Sequence, residues 1–74
     1  MQAMVRFFTH IKRDDITRDF PTLAHARGTA KLALRHTPFH WEWARVFYTD
    51  DAGTSRYVDI RKGQGEWIVT DEVL

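Results

Sequence analysis

The chain has no cysteine, one serine, two prolines, four glycines and almost no excess of either charge. Without cysteine, neither a disulfide nor a thiolate metal site supplements the core, and such usage suits a cytoplasmic protein. Eleven basic residues against ten acidic leave a net charge of +1, so bulk charge does not argue for nucleic acid or an anionic membrane as partner. No hydrophobic run approaches membrane-spanning length, and the opening MQAMVRFF is too short and too charged for a signal peptide. The cytoplasm is therefore the expected compartment (the host's, for a phage-encoded protein), with no membrane association. Seventy-four residues correspond to a single domain, residues 1–74, which buries only ~60% of its unfolded surface. A hydrophobic content of 43%, with 14% aromatic, places the chain among folded proteins.

Residues 41–69 hold the strongest pattern. WEWARVFYT, SRYVDIR and EWIVT read as three strands separated by the glycine turns DDAG and KGQG, an antiparallel meander containing all three tryptophans and both tyrosines. Upstream, Val5, Phe7, Thr9 and Ile11 alternate with Arg6, Phe8, His10 and Lys12 as in a strand. Arg13-Asp14-Asp15 suits a turn, and Ile16–Phe20 a returning strand that brings Ile11 near Ile16 and Phe7 near Phe20. Thr22 suits a helix N-cap. A helix from Leu23 to about His36 gathers Leu23, Ala26, Ala30, Ala33 and Leu34 within roughly 100° of arc. Thr37-Pro38 ends it. Gly28 falls mid-helix on its outer side. The expected fold is α+β, one helix on a four- or five-stranded antiparallel sheet in the order β(β)αβββ.

In the last hairpin the pattern predicts Ile60 opposite Trp67 and Val58 opposite Val69, under the helix. The hairpin before it is ambiguous. A loop of even length puts Trp43 and Phe47 on the core face and Ala44, Val46, Tyr48 and Tyr57 outside. A loop of odd length turns Trp41, Trp43 and Phe47 outward instead. Tyr57 is outside either way, beside Asp59 and Arg61, with Tyr48 or Trp43 across the strand. Aromatic and arginine side chains dominate binding hot spots, so Tyr48, Tyr57, Trp43 and Arg61 are candidate contacts; cross-strand pairing that merely stabilises the sheet is the plainer alternative. Arg27, Lys31 and Arg35, at i, i+4 spacing, form a basic ridge along the helix. The commoner meaning of such a ridge is a solvated flank.

Little suggests chemistry. Ser55 lies next to a turn without a glycine elbow. Asp14-Asp15 and Asp50-Asp51 sit in predicted turns, where aspartate is favoured for local hydrogen bonding. The GQG of Lys62-Gly63-Gln64-Gly65 lacks the rest of a phosphate loop and leads into a strand. His36, His40 and Glu42 have metal-binding chemistry, but Pro38 separates the histidines and nothing completes a ligand set. No enzyme activity, cofactor or metal is expected.

The Thr22, Leu23 and Ala26 helix start and the ending Gly65-Glu66-Trp67-Ile68-Val69, after a short N-terminal β region, resemble small phage-encoded anti-CRISPR proteins that inhibit type I surveillance complexes. The resemblance spans about residues 20–69. It implies a stand-alone inhibitor that binds a host protein or nucleoprotein complex on a surface meant for nucleic acid. Many such inhibitors carry strongly acidic surfaces, and a chain at +1 departs from that. The expected function is thus a non-catalytic protein-binding module of the phage or mobile-element inhibitor type. The alternative is a small nucleic-acid-binding domain that stacks bases on sheet aromatics, with Arg45, Arg56, Arg61 and Lys62 nearby; Glu42, Asp50, Asp51 and Asp59 oppose it. Such a chain is a monomer or a homodimer, and a structural subunit that pairs edge strands is a third form.

Overall fold

The computed structural model describes residues 1–36 and 41–74, His36 by its backbone alone. The elements are β1 (Gln2–Phe8), β2 (Arg13–Asp19), α1 (Leu23–His36), β3 (Trp43–Thr49), β4 (Ser55–Lys62) and β5 (Trp67–Val73). The strands form one antiparallel sheet in the order β2-β1-β3-β4-β5. This is the expected α+β arrangement, with five strands. The chain crosses from β2 at one edge, through α1, to β3 on the far side of β1.

The helix forms where the apolar period predicts. Thr22 Oγ1 accepts the amide of His25 at 3.3 Å, satisfying one of the free donors of the first turn. Ala26 and Ala30 are fully buried, Leu34 nearly so, and Leu23 and Ala33 pack at the margin. They face Ala3, Val5 and Phe7 of β1, Ala44 and Val46 of β3, and Val58 and Ile60 of β4. Alanine on the helix lets its axis lie close to a sheet whose inner face is mostly β-branched. Gly28 is on the outer side, as expected, with open space around it.

Turn chemistry fixes the register, and here three expectations change. The first turn is at residues 9–12, not at Arg13–Asp15. Thr9 Oγ1 accepts the amides of Ile11 (3.2 Å) and Lys12 (2.9 Å), and Thr9 N donates to Lys12 O. Ile11 is consequently a turn residue, 75% exposed, and Ile16 pairs with Val5 and Phe7 with Asp14. In the last hairpin a four-residue loop, closed by Gly63 N donating to Glu66 O at 2.7 Å, pairs Lys62 with Trp67. Ile60 therefore meets Val69, and Val58 meets Asp71, two residues on from the expected partners but on the same face. A Cβ on Gly63 would come within 2.9 Å of that carbonyl oxygen, which accounts for the glycine.

The β3–β4 loop is odd. Thr49 pairs with Ser55, leaving Asp50–Thr54 between them. Asp50 Oδ1 accepts the amides of Ala52 (3.0 Å) and Thr54 (2.9 Å), and Gly53 takes φ 81°, open to glycine without strain. That loop sends Trp43 and Phe47 outward. Trp41 does not follow them: it precedes β3, so strand alternation does not bind it, and it stacks on Phe7 at 5.9 Å between ring centroids.

Core substitutions should separate sharply from surface ones in urea unfolding. Ile60→Ala is expected to cost about 2–5 kcal/mol through lost burial and a cavity. Ala30→Leu should cost about 1–3 kcal/mol by overpacking the helix–sheet gap. Leu32→Ala, at a side chain 59% exposed, should stay within about 0.5 kcal/mol of the parent.

Candidate interface on the open sheet face

The face turned away from α1 is organised in three rows that run across the strands. The first contains Arg13, Phe8, Trp43, Arg61 and Ile68; the second Asp15, Arg6, Arg45, Asp59 and Thr70; the third Thr17, Met4, Phe47, Tyr57 and Glu72. The centre of the sheet is thus a charged row between two aromatic ones.

In the middle row Arg6 and Arg45 are direct cross-strand neighbours, an unfavourable like-charge pair in isolation. Each is neutralised by an aspartate on its far side. Arg6 donates through Nε and Nη2 to the two oxygens of Asp15 at 2.7 and 3.1 Å. Arg45 donates in the same fork to Asp59 at 2.6 and 2.9 Å. Planar bidentate pairs of this kind are the stronger sort of surface ion pair. The guanidinium planes also cover the aromatic rows. Arg45 lies 4.2 Å from the Tyr57 ring centroid and 5.4 Å from that of Trp43, and Arg6 lies 5.4 Å from Phe47. Phe8 and Trp43 stack nearly parallel at 4.0 Å, and Phe47 meets Tyr57 at 6.5 Å. The face is ordered, half-buried by its own side chains, and close to neutral.

Among the candidate contacts, Tyr57, Trp43 and Arg61 share this face, with Arg61 5.9 Å from the Trp43 ring. Tyr48 does not. The odd loop turns it to the helix side, where its hydroxyl donates to Asp71 at 2.9 Å and accepts from Arg56 Nε at 3.2 Å. Burial, then the bond to Asp71, raises the Tyr48 pKa and keeps the phenol protonated. Lys31 and Arg35 of the basic ridge lie over the Trp67 ring at 5.9 and 5.6 Å, while Arg27 stays beside them without an ion pair among the described residues. Helix ridge and open face are therefore separate surfaces on opposite sides of the sheet. Phe47 faces outward as the odd-length loop requires, while Phe8, Arg6 and Asp15 join the face unannounced; their signal was the alternation around Val5 and Phe7, readable once the register is known.

Of the metal candidates, His40 and the side chain of His36 lie outside the described residues. Glu42 instead accepts from the His10 amide at 3.3 Å and lies 3.2 Å from its Nδ1. No protein-family model matches the sequence, and neither a curated protein nor a solved structure is significantly similar to it.

The ion pairs give this face a pH signature. Hydrogen bonding by Arg6 holds Asp15 below its ordinary carboxylate value. A depressed folded-state pKa contributes stability that is present above the unfolded value and lost as pH falls through the folded one. Unfolding midpoints should thus decline on acidification through the carboxylate range, and Asp15→Asn should flatten that decline. Asp59→Asn, which leaves Arg45 and Arg6 side by side with half their compensation, should cost about 1–2 kcal/mol at neutral pH.

Proposed function

We propose that this chain is a non-catalytic protein-binding module that engages its partner with the open sheet face. The observation that carries this reading is the charge-paired middle row: Arg6 and Arg45 are bound to Asp15 and Asp59, so the face offers aromatic and guanidinium area with little net field. A partner of folded protein, with mixed charge and apolar pockets, matches such a surface. Trp43 and Tyr57 are its anchors, with Arg61 at the rim and Phe8, Phe47 and Arg45 fixing their rings. Held by stacking and forked hydrogen bonds, these side chains lose little rotamer freedom on docking. The resemblance to phage-encoded inhibitors gives this module a role: occupying a protein surface of a host nucleoprotein complex in the cytoplasm, without acidic mimicry of nucleic acid.

A catalytic role has less to draw on. A cleft of about 980 Å³ at one end of the sheet, beside Met4, Phe47 and Ser55, has Asp50, Asp51 and Arg56 as its charged side chains among the described residues. Asp50 is spent on its loop and Arg56 on Tyr48 and Asp71.

The alternative, base stacking by single-stranded nucleic acid, draws on the same aromatics. It is disfavoured because two of the four arginines of the rows, Arg6 and Arg45, already hold aspartates, and a phosphate contact to either would have to displace its aspartate. Salt and nuclease separate the readings. Capture of a protein from a bacterial lysate should survive nuclease and weaken only modestly as salt rises, whereas nucleic-acid binding falls steeply. Replacing Trp43 and Tyr57 together by alanine should weaken that capture by about 30-fold or more while circular dichroism stays unchanged. Capture that the double variant leaves intact removes the open face from consideration.

A further inference from the structure

The two edges of the sheet are unlike. β2 is guarded: Arg13, Asp14, Asp15, Arg18 and Asp19 make five of its seven residues charged, which discourages pairing with another strand. β5, the other edge, has its charges confined to Asp71 and Glu72 and exposes Ile68 and Val73. It contains neither proline nor lysine, and the α1 backbone lies over β1, β3 and β4, reaching β5 through Lys31 and Arg35 on Trp67. Its free backbone groups can be assigned. Leu74 N donates to Ser55 O and Glu66 O accepts from Gly63, so Glu66, Ile68, Thr70, Glu72 and Leu74 direct their amides and carbonyls to β4. By strand alternation, those of Trp67, Val69, Asp71 and Val73 point outward.

We infer that β5 pairs antiparallel with β5 of a second copy of this chain, on a two-fold axis through Thr70, joining two sheets into one. This register overlaps the whole strand and places Trp67 opposite the partner's Val73 and Val69 opposite the partner's Asp71. These are the residues with outward backbone groups, so every free donor and acceptor finds its counterpart. Charge complements the geometry. On the helix side, one end of β5 is basic: Lys31 and Arg35 lie over Trp67, Lys62 is its cross-strand neighbour, and none of the three has an ion-pair partner among the described residues. The other end of the strand has Asp71, held in its own chain by Tyr48 and Arg56 but with carboxylate oxygens that can accept further donors. An antiparallel second copy sets each Asp71 diagonally across from the other copy's Trp67 and its cations, which offset the approach of the two Asp71 side chains to each other across the axis. It also covers Val73, 59% exposed in the single chain, with an indole. An axis perpendicular to the sheet leaves both helices on one side and both aromatic faces on the other, so the dimer presents the open face twice. The inference does not depend on what that face binds.

Sedimentation equilibrium from micromolar to near-millimolar concentration tests the association, with two variants that locate it. The parent chain should convert from monomer to dimer as concentration rises. Val73→Lys, which sets a cation opposite the Trp67 cluster, should raise the dissociation constant by about tenfold or more, with circular dichroism unchanged. Thr70→Cys, the sole cysteine in the chain, should form a disulfide-linked dimer on mild oxidation, because residues paired on such an axis without exchanging hydrogen bonds have Cα atoms about 4.5 Å apart. A parent chain that stays monomeric throughout overturns the inference. So does a dimer that neither weakens with Val73→Lys nor crosslinks through Thr70→Cys, since its contact then lies elsewhere.

Discussion

One helix of fourteen residues has to cover a sheet of five strands, and that shortfall governs the rest of the molecule. The helix covers β1, β3 and β4 and supplies alanines where the layers are closest, so the two-layer core is narrow and built from Val, Ile, Ala, one leucine and two phenylalanines. Among the described residues no second layer lies over the other face. That face therefore has to satisfy itself, and it does so with cross-strand stacks and forked arginine–aspartate pairs in place of burial. Its order comes from contacts between neighbours on one surface, each worth little alone but arranged so that every arginine of the middle row touches both an acid and a ring.

The proposed docking role fits the order of this surface. Reaction sites need a group whose environment holds it poised near neutral pH in a water-excluding pocket. Among the described residues the perturbed groups are an aspartate lowered by Arg6, a tyrosine raised by burial, and arginines whose pKa rises through acidic or phenolic partners, all changes that lock a charge state. Pre-ordered aromatic and guanidinium side chains, by contrast, are what a docking partner exploits.

Much of this was legible in the sequence. The helix was, because five small or aliphatic residues fall on one stripe and Thr22 marks its start. The meander was, because aromatic alternation and paired glycines bracket each strand. The faces of β3 were not, because a single residue in the Asp50–Thr54 loop decides its parity, and that count depends on Asp50 capturing two amides. Tyr48 lies on the helix side, off the open face, for the same reason. The first hairpin slipped because Ile11 continues an apolar alternation that Thr9 interrupts by folding its hydroxyl back onto the chain. The middle row was hidden most deeply: Arg6, Asp15, Arg45 and Asp59 come from four strands, and no local pattern joins them until all registers are set.

The three tryptophans occupy three separate environments, which makes them direct reporters of the central claim that the open sheet face is the docking surface. Trp43 stacks on Phe8 in that face, Trp41 packs on Phe7 against the core, and Trp67 lies under Lys31 and Arg35 on the helix side. Indole N–H resonances followed by NMR while a captured partner is added, at constant concentration of this chain, would read them individually. The account predicts a large change at Trp43 with Trp41 and Trp67 nearly still. A response confined to Trp67 would contradict it and move the docking surface to the helix side.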